Sequence, residues 1–571
     1  MNTLYSNDRA VQMLVYLLKA NMIKKIVVSP GTTNMPFVVS VQHDPYFELF
    51  SCVDERSAAY MACGMSIESG EPVVITCTEA TASRNYMSAL TEAYYKKIPI
   101  LAVTGAHSNA NIGHLYEQII DRRVIPNDIA LLSVTIDSNE EEWLNNIRIN
   151  QAILELTHRG GGPVHINLIA HTFETSTDEL PITRIIKRYT AEDKLPSFPK
   201  GRIAIFAGAQ LPLSKHETLL IDKFCEEYDS VVFCNQSSSY YGKYRIEYAL
   251  ISSQKYYNSN CLDCDLLIHI GETSTGKIRA KQTWRISPDG ELRDTFRSLS
   301  CIFEMQIETF LSKYIHKSSE KPNQNYFNLC TKEYKELYDN IKDLKFTNLW
   351  IAQYLSNKIP SNSIIHLGIL NSFRCWNFVK IESSITRSCN VGGFGIDGVL
   401  STAIGSSLVS PDKICFCILG DLSFFYDLNS IGNRHIGKNL RILLINNGRG
   451  EEFRNYGHPG HILGDFANSY IAAEGHFGNK SRSLVKNFVE DLGYQYISAS
   501  SKDEFKNLVD IFTSSSNENS IVFEVFTLPE DESDSLKIAY NLKKERKIIF
   551  KERIKQTLKD SIHNTISFLK K

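Results

Sequence analysis

Short runs of β-branched and other apolar residues recur along the chain, and each is followed by a polar loop and an amphipathic helical pattern. In the first part of the chain these runs lie at residues 24–29, 47–53, 71–77 and 99–105. Continuous apolar runs of this length are typical of strands buried on both faces of a parallel sheet. Their alternation with helices predicts βαβ units and an open α/β domain.

The same alternation returns twice further along the chain. Strands of a second unit are predicted at RIAIFAG, DSVVFCN and CDLLIHIG, and strands of a third at NSIIHLG, KICFCILG, LRILLIN and SIVFEVF. Polar, proline-containing stretches at 175–201 and 316–326 are interpreted as connections. We therefore predict an α/β protein with three doubly wound parallel-sheet domains at residues 1–178, 198–314 and 345–535, and a basic helical tail at 536–571.

Composition excludes several classes of protein. A chain of 571 residues with 43% hydrophobic and 22% charged residues is typical of packed domains, not of a disordered protein. The net charge of −2 implies no bulk attraction to nucleic acid or anionic lipid. We find neither a membrane-spanning segment nor a signal peptide and expect a cytoplasmic protein. The basic tail is interpreted as an exposed or dimer-packing helix, or alternatively as a membrane-surface or anion-binding helix.

The most specific chemical signal lies in the third unit. Gly420-Asp421 ends one predicted strand, and Asn446-Asn447 ends the next. Adjacent parallel strands present their carboxyl ends side by side, where ligands bind in doubly wound sheets. A carboxylate and an amide oxygen at this edge suit a hard divalent cation with a pyrophosphate. Alternatively, Gly-Asp and Asn-Asn are ordinary turn residues.

Gly-Asp-x followed by a helix, a strand and Asn-Asn resembles the pyrophosphate and magnesium motif of thiamin diphosphate (ThDP) enzymes. The resemblance implies ThDP and Mg²⁺ as cofactors and domains in the order PYR (pyrimidine-binding), middle and PP (pyrophosphate-binding). Glu55, after a predicted strand and before an Ala-rich run, matches the glutamate that contacts the aminopyrimidine. Such a carboxyl exchanges a proton with N1′ of the cofactor. Alternatively, it is a helix-start glutamate that favours the helix dipole.

Further site residues follow from this resemblance. Ile396 matches the bulky apolar residue that bends the cofactor, and its alternative role is core packing. The metal ligands implied are Asp421, Asn447 and the backbone carbonyl of Arg449. The cofactor-binding residues implied are Pro30, Gly31, Glu55, Thr78, Asn85, Phe394, Ile396, Gly420, Asp421, Leu422, Ser423 and Asn447. The catalytic candidates are Glu55, Gln118 and His107.

Within the superfamily, the chain resembles the MenD group, the SEPHCHC synthases of menaquinone biosynthesis. These enzymes add decarboxylated 2-oxoglutarate to isochorismate. The likeness covers most of the first and third units and is weaker in the middle one. Its markers are Gly395-Ile396-Asp397-Gly398 followed by VLST, then GDLSFFYDLN with Leu422 in place of the usual second glycine, and also Ser29-Pro30-Gly31 and Asp54-Glu55-Arg56.

The chain departs from this group at substrate positions. Thr32-Thr33-Asn34-Met35 stands where the group has Ser-Arg-Ser-Thr, His107 replaces an arginine, and Asn390-Val391-Gly392 replaces Asn-Arg-Gly. Each lost arginine–carboxylate pair removes about 1.5–3 kcal/mol. Glu79 and Ala80 also replace small residues of the cofactor-side loop.

Other cationic positions are retained. Arg374 matches a substrate-binding arginine, and Lys277 is similar in position to a middle-domain lysine that reaches the acceptor. Glu451-Glu452-Phe453 follows the metal loop, where carboxylates make a pocket less welcoming to anions. The predicted substrate contacts are Thr32, Thr33, His107, Lys277, Arg374, Val391, Glu452 and Phe453.

We therefore predict a ThDP- and Mg²⁺-dependent 2-oxo acid decarboxylase or carboligase that uses MenD-like chemistry on a non-standard acceptor. One alternative is a true SEPHCHC synthase, and another is a catalytically idle ThDP-binding homologue. The expected partners are a small-molecule 2-oxo acid donor and an unknown acceptor. The resemblance also implies a homodimer or homotetramer, in which Glu55 of one chain serves the PP domain of another.

Overall fold

The computed structural model describes residues 4–177, 179–210, 212–273, 276–316, 324–475 and 481–543. Within these residues, parallel strands alternate with helices, which confirms the predicted α/β class. None of the helices described is long and apolar enough to cross a membrane.

The first part of the chain forms a six-stranded parallel sheet in the order β3-β2-β4-β5-β7-β6, and β1 pairs with β8 antiparallel. Its strands are β1 (Tyr5–Ser6), β2 (Lys25–Val28), β3 (Glu48–Ser51), β4 (Val73–Cys77), β5 (Ile100–Ala106), β6 (Leu132–Asp137), β7 (Val164–Ile169), β8 (Thr175–Thr177) and β9 (Lys187–Tyr189). Its helices are α1 (Arg9–Ala20), α2 (Met35–Gln42), α3 (Glu55–Ser69), α4 (Thr81–Asn85), α5 (Met87–Lys96) and α6 (Glu142–Glu155).

In the middle part, five neighbouring strands pair in parallel in the order β12-β11-β10-β13-β14. A further strand of this part, β15, pairs in parallel with β9. Its strands are β10 (Ile203–Ala207), β11 (Val231–Cys234), β12 (Arg245–Glu247), β13 (Asp263–Ile270), β14 (Arg279–Ile286) and β15 (Leu299–Phe303). Its helices are α7 (Lys215–Tyr228), α8 (Tyr248–Ser252) and α9 (Ile307–Tyr314).

The last part forms another six-stranded parallel sheet, in the order β17-β16-β18-β19-β21-β20. Its strands are β16 (Ile364–Leu367), β17 (Thr386–Cys389), β18 (Cys415–Gly420), β19 (Leu440–Asn446), β20 (Gln495–Ala499) and β21 (Ile521–Phe526). Its helices are α10 (Asn325–Asp339), α11 (Asn348–Leu355), α12 (Asn371–Trp376), α13 (Val399–Val409), α14 (Asp421–Tyr426), α15 (Leu484–Asp491), α16 (Lys502–Thr513) and α17 (Pro529–Tyr540).

Strand alternation explains why both faces of the first sheet are covered. In β4, Val73, Ile75 and Cys77 pack into one apolar cluster, whereas Val74 packs into the cluster on the opposite face. Successive strand residues point to opposite faces, so an uninterrupted apolar run needs a hydrophobic layer on each side. Helices supply both layers, and polar residues are left for the strand ends.

The chain divides into two compact units. The first contains residues 1–194 and 289–304, and the second contains residues 195–288 and 305–571. The second unit holds the strands β10 to β14 and the last six-stranded sheet. We keep the three-domain division with the bounds given above as a proposal, because each third of the chain builds its own parallel sheet.

Two stretches differ from the sequence interpretation. Residues 175–201, interpreted as a connection, include β8 and β9, because short polar segments can pair when a neighbouring strand edge is open. The predicted basic tail begins inside α17, which runs from Pro529 to Tyr540. The rest of that tail from residue 544 lies outside the described residues.

Candidate active site

Glu55 stands at the start of α3, directly after the end of β3. Asp54 caps this helix by accepting a hydrogen bond from the backbone N–H of Arg56 at 3.0 Å. The half-buried Glu55 carboxylate accepts a hydrogen bond from Asn85 Nδ2 to Oε2 at 3.1 Å. Its Oε1 makes no hydrogen bond within the described part of the chain. One carboxylate oxygen is therefore fixed by Asn85, and the other is available to a ligand.

The loop after β2 packs tightly on the ends of β4 and β5. Thr33 Oγ1 lies 2.5 Å from Thr78 Oγ1. A Cβ on Gly31 would lie 2.6 Å from Thr78 Cβ, and a Cβ on Gly105 would lie 2.4 Å from the Thr33 carbonyl carbon. The structure thus brings the predicted positions Gly31, Thr33 and Thr78 together. Pro30 and Thr32 lie in the same loop and are exposed.

Replacing Gly105 with alanine should lower the free energy of unfolding by about 1–3 kcal/mol, because the new methyl group meets the Thr33 backbone, which cannot easily move. Urea unfolding measures this loss. Gly64→Ala is the matched control: it lies in α3 with open space around its Cβ, so alanine should be neutral or stabilising there. Equal stability of the two variants would contradict the close approach of the Thr33 loop to β5.

His107 follows β5 and bonds to a buried carboxylate. Its Nδ1 is hydrogen-bonded to Glu79 Oε1, and its backbone N–H donates to the same oxygen at 3.3 Å. Glu79 Oε2 lies 3.5 Å from Arg122 Nη2. Glu79 and Arg122 are both buried, whereas 43% of the His107 side chain is exposed. Burial lowers the pKa of Arg122, and the charge of Glu79 opposes this effect.

Arg122 links this pair to the end of the sheet. Its Nη1 donates to Thr104 Oγ1 at 2.9 Å, and its Nη2 donates to Asn167 Oδ1 at 2.6 Å. Burial, together with the charge of Arg122, lowers the pKa of the neighbouring His165 to about 3. The sequence analysis missed Arg122, because no local motif marks it and only the fold carries its loop to Glu79.

Gln118, the other catalytic candidate, stands apart from these contacts. It has a positive φ of 65° and an exposed side chain. Within the described residues its side chain makes no hydrogen bond, and the neighbouring Leu115 is 98% exposed. Its proposed role at the reacting centre therefore rests on the resemblance alone.

Asp421 and Asn447 lie at the ends of adjacent strands, because β18 and β19 pair in parallel with Gly420 opposite Ile445. Asp421 is buried and accepts backbone N–H bonds from Leu422 to Oδ1 at 2.8 Å and from Gly448 to Oδ2 at 2.7 Å. Asn447 Oδ1 accepts from the backbone N–H of Arg449 at 3.2 Å. The two strand ends therefore place a carboxylate and an amide oxygen at the same edge of the sheet.

The surroundings of Asp421 fit a bound cation. Burial raises the pKa of Asp421 to about 6, although the N–H bonds from Leu422 and Gly448 lower it. No basic side chain of the described residues forms an ion pair with this carboxylate. A buried carboxylate without a counter-charge is costly, and a divalent cation would supply that charge. The guanidinium of Arg449, which cannot ligate a metal, is paired with Glu451 at 2.7 Å, and the backbone carbonyl is the atom of this residue that could bind one.

The segment predicted to bend the cofactor is anchored to the same strand end. Ser423 Oγ donates to the carbonyl oxygen of Ile396 at 2.6 Å, which ties this residue to α14 and hence to Asp421. Phe394 has a positive φ of 56° and is 56% exposed. A Cβ on Gly420 would meet nothing within 4 Å, so the strand end is open to a phosphate. Val391, a predicted substrate contact, lies at the base of this loop and is half-buried.

A cavity of about 700 Å³ in the second unit contains three of the predicted substrate contacts. Lys277, Arg374 and Glu452 line it together with Lys255 and Tyr540. Phe453 does not line it but packs against the His458 ring at 5.6 Å between centroids. Glu452 and residues 455–459 in its wall follow the Asn447 loop in the sequence.

Arg374 and Glu452 form a bidentate ion pair in this cavity. Glu452 Oε1 accepts from Arg374 Nη2 at 2.6 Å, and Oε2 accepts from Nη1. Burial alone would lower the pKa of Arg374, but the hydrogen bonds and charge of Glu452 raise it. The retained arginine is therefore already occupied by a carboxylate of the same chain.

Comparisons with known proteins show what this chain is similar to as a whole. The family described as "Thiamine pyrophosphate enzyme, N-terminal TPP binding domain" matches residues 8–125. A 2-succinyl-5-enolpyruvyl-6-hydroxy-3-cyclohexene-1-carboxylate synthase of Bacteroides thetaiotaomicron is 28% identical over 95% of this chain and 100% of its own length. Proteins of the same name from Bacteroides fragilis and Flavobacterium johnsoniae are each 28% identical, over 94% and 93% of this chain and 99% and 98% of their own lengths.

Proposed function

We propose that this chain, a ThDP-dependent enzyme of the MenD group, is a 2-succinyl-5-enolpyruvyl-6-hydroxy-3-cyclohexene-1-carboxylate synthase. The sequence alone favours a non-standard acceptor and leaves this function as the alternative. The name shared by the relatives supports the alternative. The succinyl group of the product corresponds to 2-oxoglutarate without one carboxyl, and the rest corresponds to isochorismate. Both substrates are therefore dicarboxylates.

The charge of the cavity is the observation that carries the proposal. Among its described lining residues, Lys255, Lys277 and Arg374 are cationic, and Glu452 is the one carboxylate. A cavity with an excess of positive charge favours an anionic ligand. Lys277 and Arg374 resemble cationic positions that the MenD group also has, and Lys255 adds a third cationic side chain to the same cavity.

Glu55 is proposed as the proton-exchanging residue. When bound, ThDP supplies the electron sink that allows a 2-oxo acid to lose CO₂. Glu55 Oε1, the oxygen that Asn85 leaves available, would hold the proton shared with the pyrimidine N1′. Asn85 orients the carboxylate, since its amide fixes the other oxygen.

The PP half would hold the pyrophosphate and Mg²⁺. Asp421, Asn447 and the carbonyl of Arg449 are the proposed metal ligands, and Gly420, Leu422 and Ser423 would contact the phosphates through the open strand end. In the PYR half, Pro30, Gly31 and Thr78 would line the pyrimidine side, and in the PP half Phe394 and Ile396 would contact the ring system. The hard oxygen donors and the missing counter-charge at Asp421 support this assignment.

A different acceptor is favoured by one observation, the ion pair of Arg374 with Glu452. If the natural acceptor carries no carboxylate at this position, Glu452 is a permanent partner of the arginine. If it does carry one, the substrate must displace Glu452. A catalytically idle homologue has less support, because Glu55, Asp421 and Asn447 are all present.

Replacing Glu452 with glutamine separates these two cases. Loss of the competing carboxylate frees Arg374, so the KM for isochorismate or 2-oxoglutarate should fall roughly tenfold, given the strength of a charge-assisted pair. Steady-state kinetics measures this change. Glu382→Gln, an exposed carboxylate of the same unit, is the control and should leave both KM values unchanged. Unchanged KM values in Glu452→Gln would favour the other acceptor.

Product analysis tests the proposed function itself. Purified protein with ThDP and Mg²⁺ is incubated with isochorismate and 2-oxoglutarate, pyruvate, 2-oxobutyrate or phosphonopyruvate, and the products are identified by mass spectrometry. We expect the succinyl adduct from 2-oxoglutarate. An adduct from another donor, or CO₂ release without any isochorismate adduct, would contradict the proposal. No reaction despite ThDP binding would support the idle homologue.

The resemblance also leads us to propose a homodimer or homotetramer in the cytoplasm. Leu115 and Val124 in the first unit are 98% and 86% exposed, and Phe466 and Tyr470 in the second are 93% and 96% exposed. We propose that a partner copy covers these side chains. Analytical ultracentrifugation should therefore detect no significant monomer at micromolar concentration.

A further inference from the structure

We propose that Glu79 and Arg122 are positioning residues that hold the His107 ring so that its Nε2 gives a proton to the acceptor. The inference rests on the proposed function, because it assigns a residue to the second half of that reaction. It also gives a physical reason for two departures from the MenD pattern, at Glu79 and at His107, which are in direct contact with each other.

The contacts fix the ring in one orientation. His107 Nδ1 and its backbone N–H both bond to Glu79 Oε1, so the carboxylate holds the residue at two points. Glu79 is held in turn by Arg122, whose guanidinium is anchored to Thr104 and Asn167. A ring anchored by a buried network in this way keeps one orientation and one tautomer.

The other ring nitrogen is available. Within the described residues, Nε2 of His107 has no hydrogen-bond partner, and 43% of the side chain is exposed. Arg122 already pairs with the buried Glu79 carboxylate. A histidine that only added a second positive charge to this carboxylate would be expected to lie buried beside it, whereas the His107 ring is partly exposed. The ring instead lies at the carboxyl edge of the sheet that also carries Glu55, Thr33 and Thr78.

The proposed reaction needs a proton donor at this stage. The product name places the succinyl group on ring carbon C2 and the carboxylate on C1. A C–C bond therefore forms at C2, and the electron pair of the ring double bond takes up a proton at C1. Nδ1 keeps its proton in the hydrogen bond to Glu79, so Nε2 is the nitrogen that releases a proton to the acceptor. Water then returns a proton to Nε2, which balances the step.

The test separates the two halves of the reaction. Decarboxylation of 2-oxoglutarate is followed with ferricyanide as the oxidant in place of the acceptor, and product formation is followed with isochorismate. Glu79→Gln and His107→Gln should each lower product formation by about 100-fold, the scale of a lost proton-transfer group. The rate of ferricyanide-coupled decarboxylation should stay within about twofold of the wild-type rate. His107 is proposed to act only after decarboxylation, in the addition to isochorismate, so its loss leaves the decarboxylation of 2-oxoglutarate unchanged.

The double variant and a control complete the design. The double variant Glu79→Gln with His107→Gln should form product at a rate within about twofold of His107→Gln alone, because the effects of residues that act as one unit do not add. Glu92→Gln replaces a surface carboxylate paired with Lys96 on α5 and should match the wild type in both assays. Wild-type product formation by Glu79→Gln, or an equal loss of both half-reactions, would overturn the inference.

A second measurement does not depend on turnover. In ¹⁵N-histidine NMR spectra at alkaline pH, the His107 signal, assigned by its loss in His107→Gln, should show the neutral ring protonated on Nδ1. A ring protonated on Nε2 would overturn the inference even if Glu79→Gln fails to fold. If the wild type oxidises 2-oxoglutarate with ferricyanide but forms no adduct with isochorismate, the proposed acceptor is wrong, and the tautomer still decides the role of Glu79.

Discussion

Glu55→Gln should lower kcat by about 10²–10⁴-fold while leaving the fold and ThDP binding in place. Glutamine keeps the shape of the side chain and can still accept the hydrogen bond from Asn85. It cannot hold the exchanging proton on Oε1, so cofactor activation is lost and cofactor affinity is not. CO₂ release measures the first effect, and titration calorimetry with ThDP and Mg²⁺ measures the second.

The control for Glu55 lies on the same helix. Glu68→Gln replaces an exposed carboxylate near the end of α3 and should retain the wild-type kcat. Turnover of Glu55→Gln close to that of Glu68→Gln would remove Glu55 from the mechanism. Loss of ThDP binding in Glu55→Gln would assign it a binding role instead.

Asp421→Ala should weaken Mg²⁺-dependent ThDP binding by roughly 100-fold or more, since even residues that only orient metal ligands contribute 10–100-fold. The carboxylate is buried without a counter-charge and caps the backbone N–H of Gly448, so alanine removes both the charge and the anchor of the Asn447 loop. Calorimetry with and without EDTA isolates the metal-dependent part.

Asp412→Ala provides the comparison for Asp421. Asp412 is an exposed residue in the turn before β18, so its loss should leave cofactor affinity unchanged. Unchanged ThDP affinity in Asp421→Ala would mean that the metal loop is assigned to the wrong strand end. Circular dichroism of both variants checks that the sheet is retained.

The apolar runs predict much of the fold, because strands buried on both faces must be apolar throughout. The runs at 24–29 and 71–77 contain β2 and β4, and the run at 99–105 covers all but the last residue of β5; these three strands lie inside their sheet. The prediction omits β6, β12, β17 and β20, which lie at sheet edges, where polar residues such as those of Arg245–Glu247 are tolerated. It also misses the short strands β1, β8 and β9 and the strands β14 and β15; in β14, whose sequence is RAKQTWRI, charged and polar residues interrupt the apolar run. It also omits the buried strand β7, although its VHINLI run directly follows the turn residues Gly160-Gly161-Gly162-Pro163.

The strand-end motifs predict where the site lies, because Gly-Asp and Asn-Asn each follow a recognisable strand. Residues that act through distant contacts carry no such mark. Arg122 reaches Glu79 only through the fold, and the pairing of Arg374 with Glu452 joins two segments far apart in sequence. Sequence pattern shows the lost arginines one position at a time, and it could not show that Lys255, Lys277 and Arg374 line one cavity.

CO₂ release from 2-oxoglutarate, with and without isochorismate, tests the central claim most directly. Purified protein saturated with ThDP and Mg²⁺ should release CO₂ slowly from 2-oxoglutarate alone and much faster when isochorismate is added, with one succinyl adduct formed per CO₂. Release that isochorismate does not change, or release only from a different 2-oxo acid, would contradict the assignment as a 2-succinyl-5-enolpyruvyl-6-hydroxy-3-cyclohexene-1-carboxylate synthase.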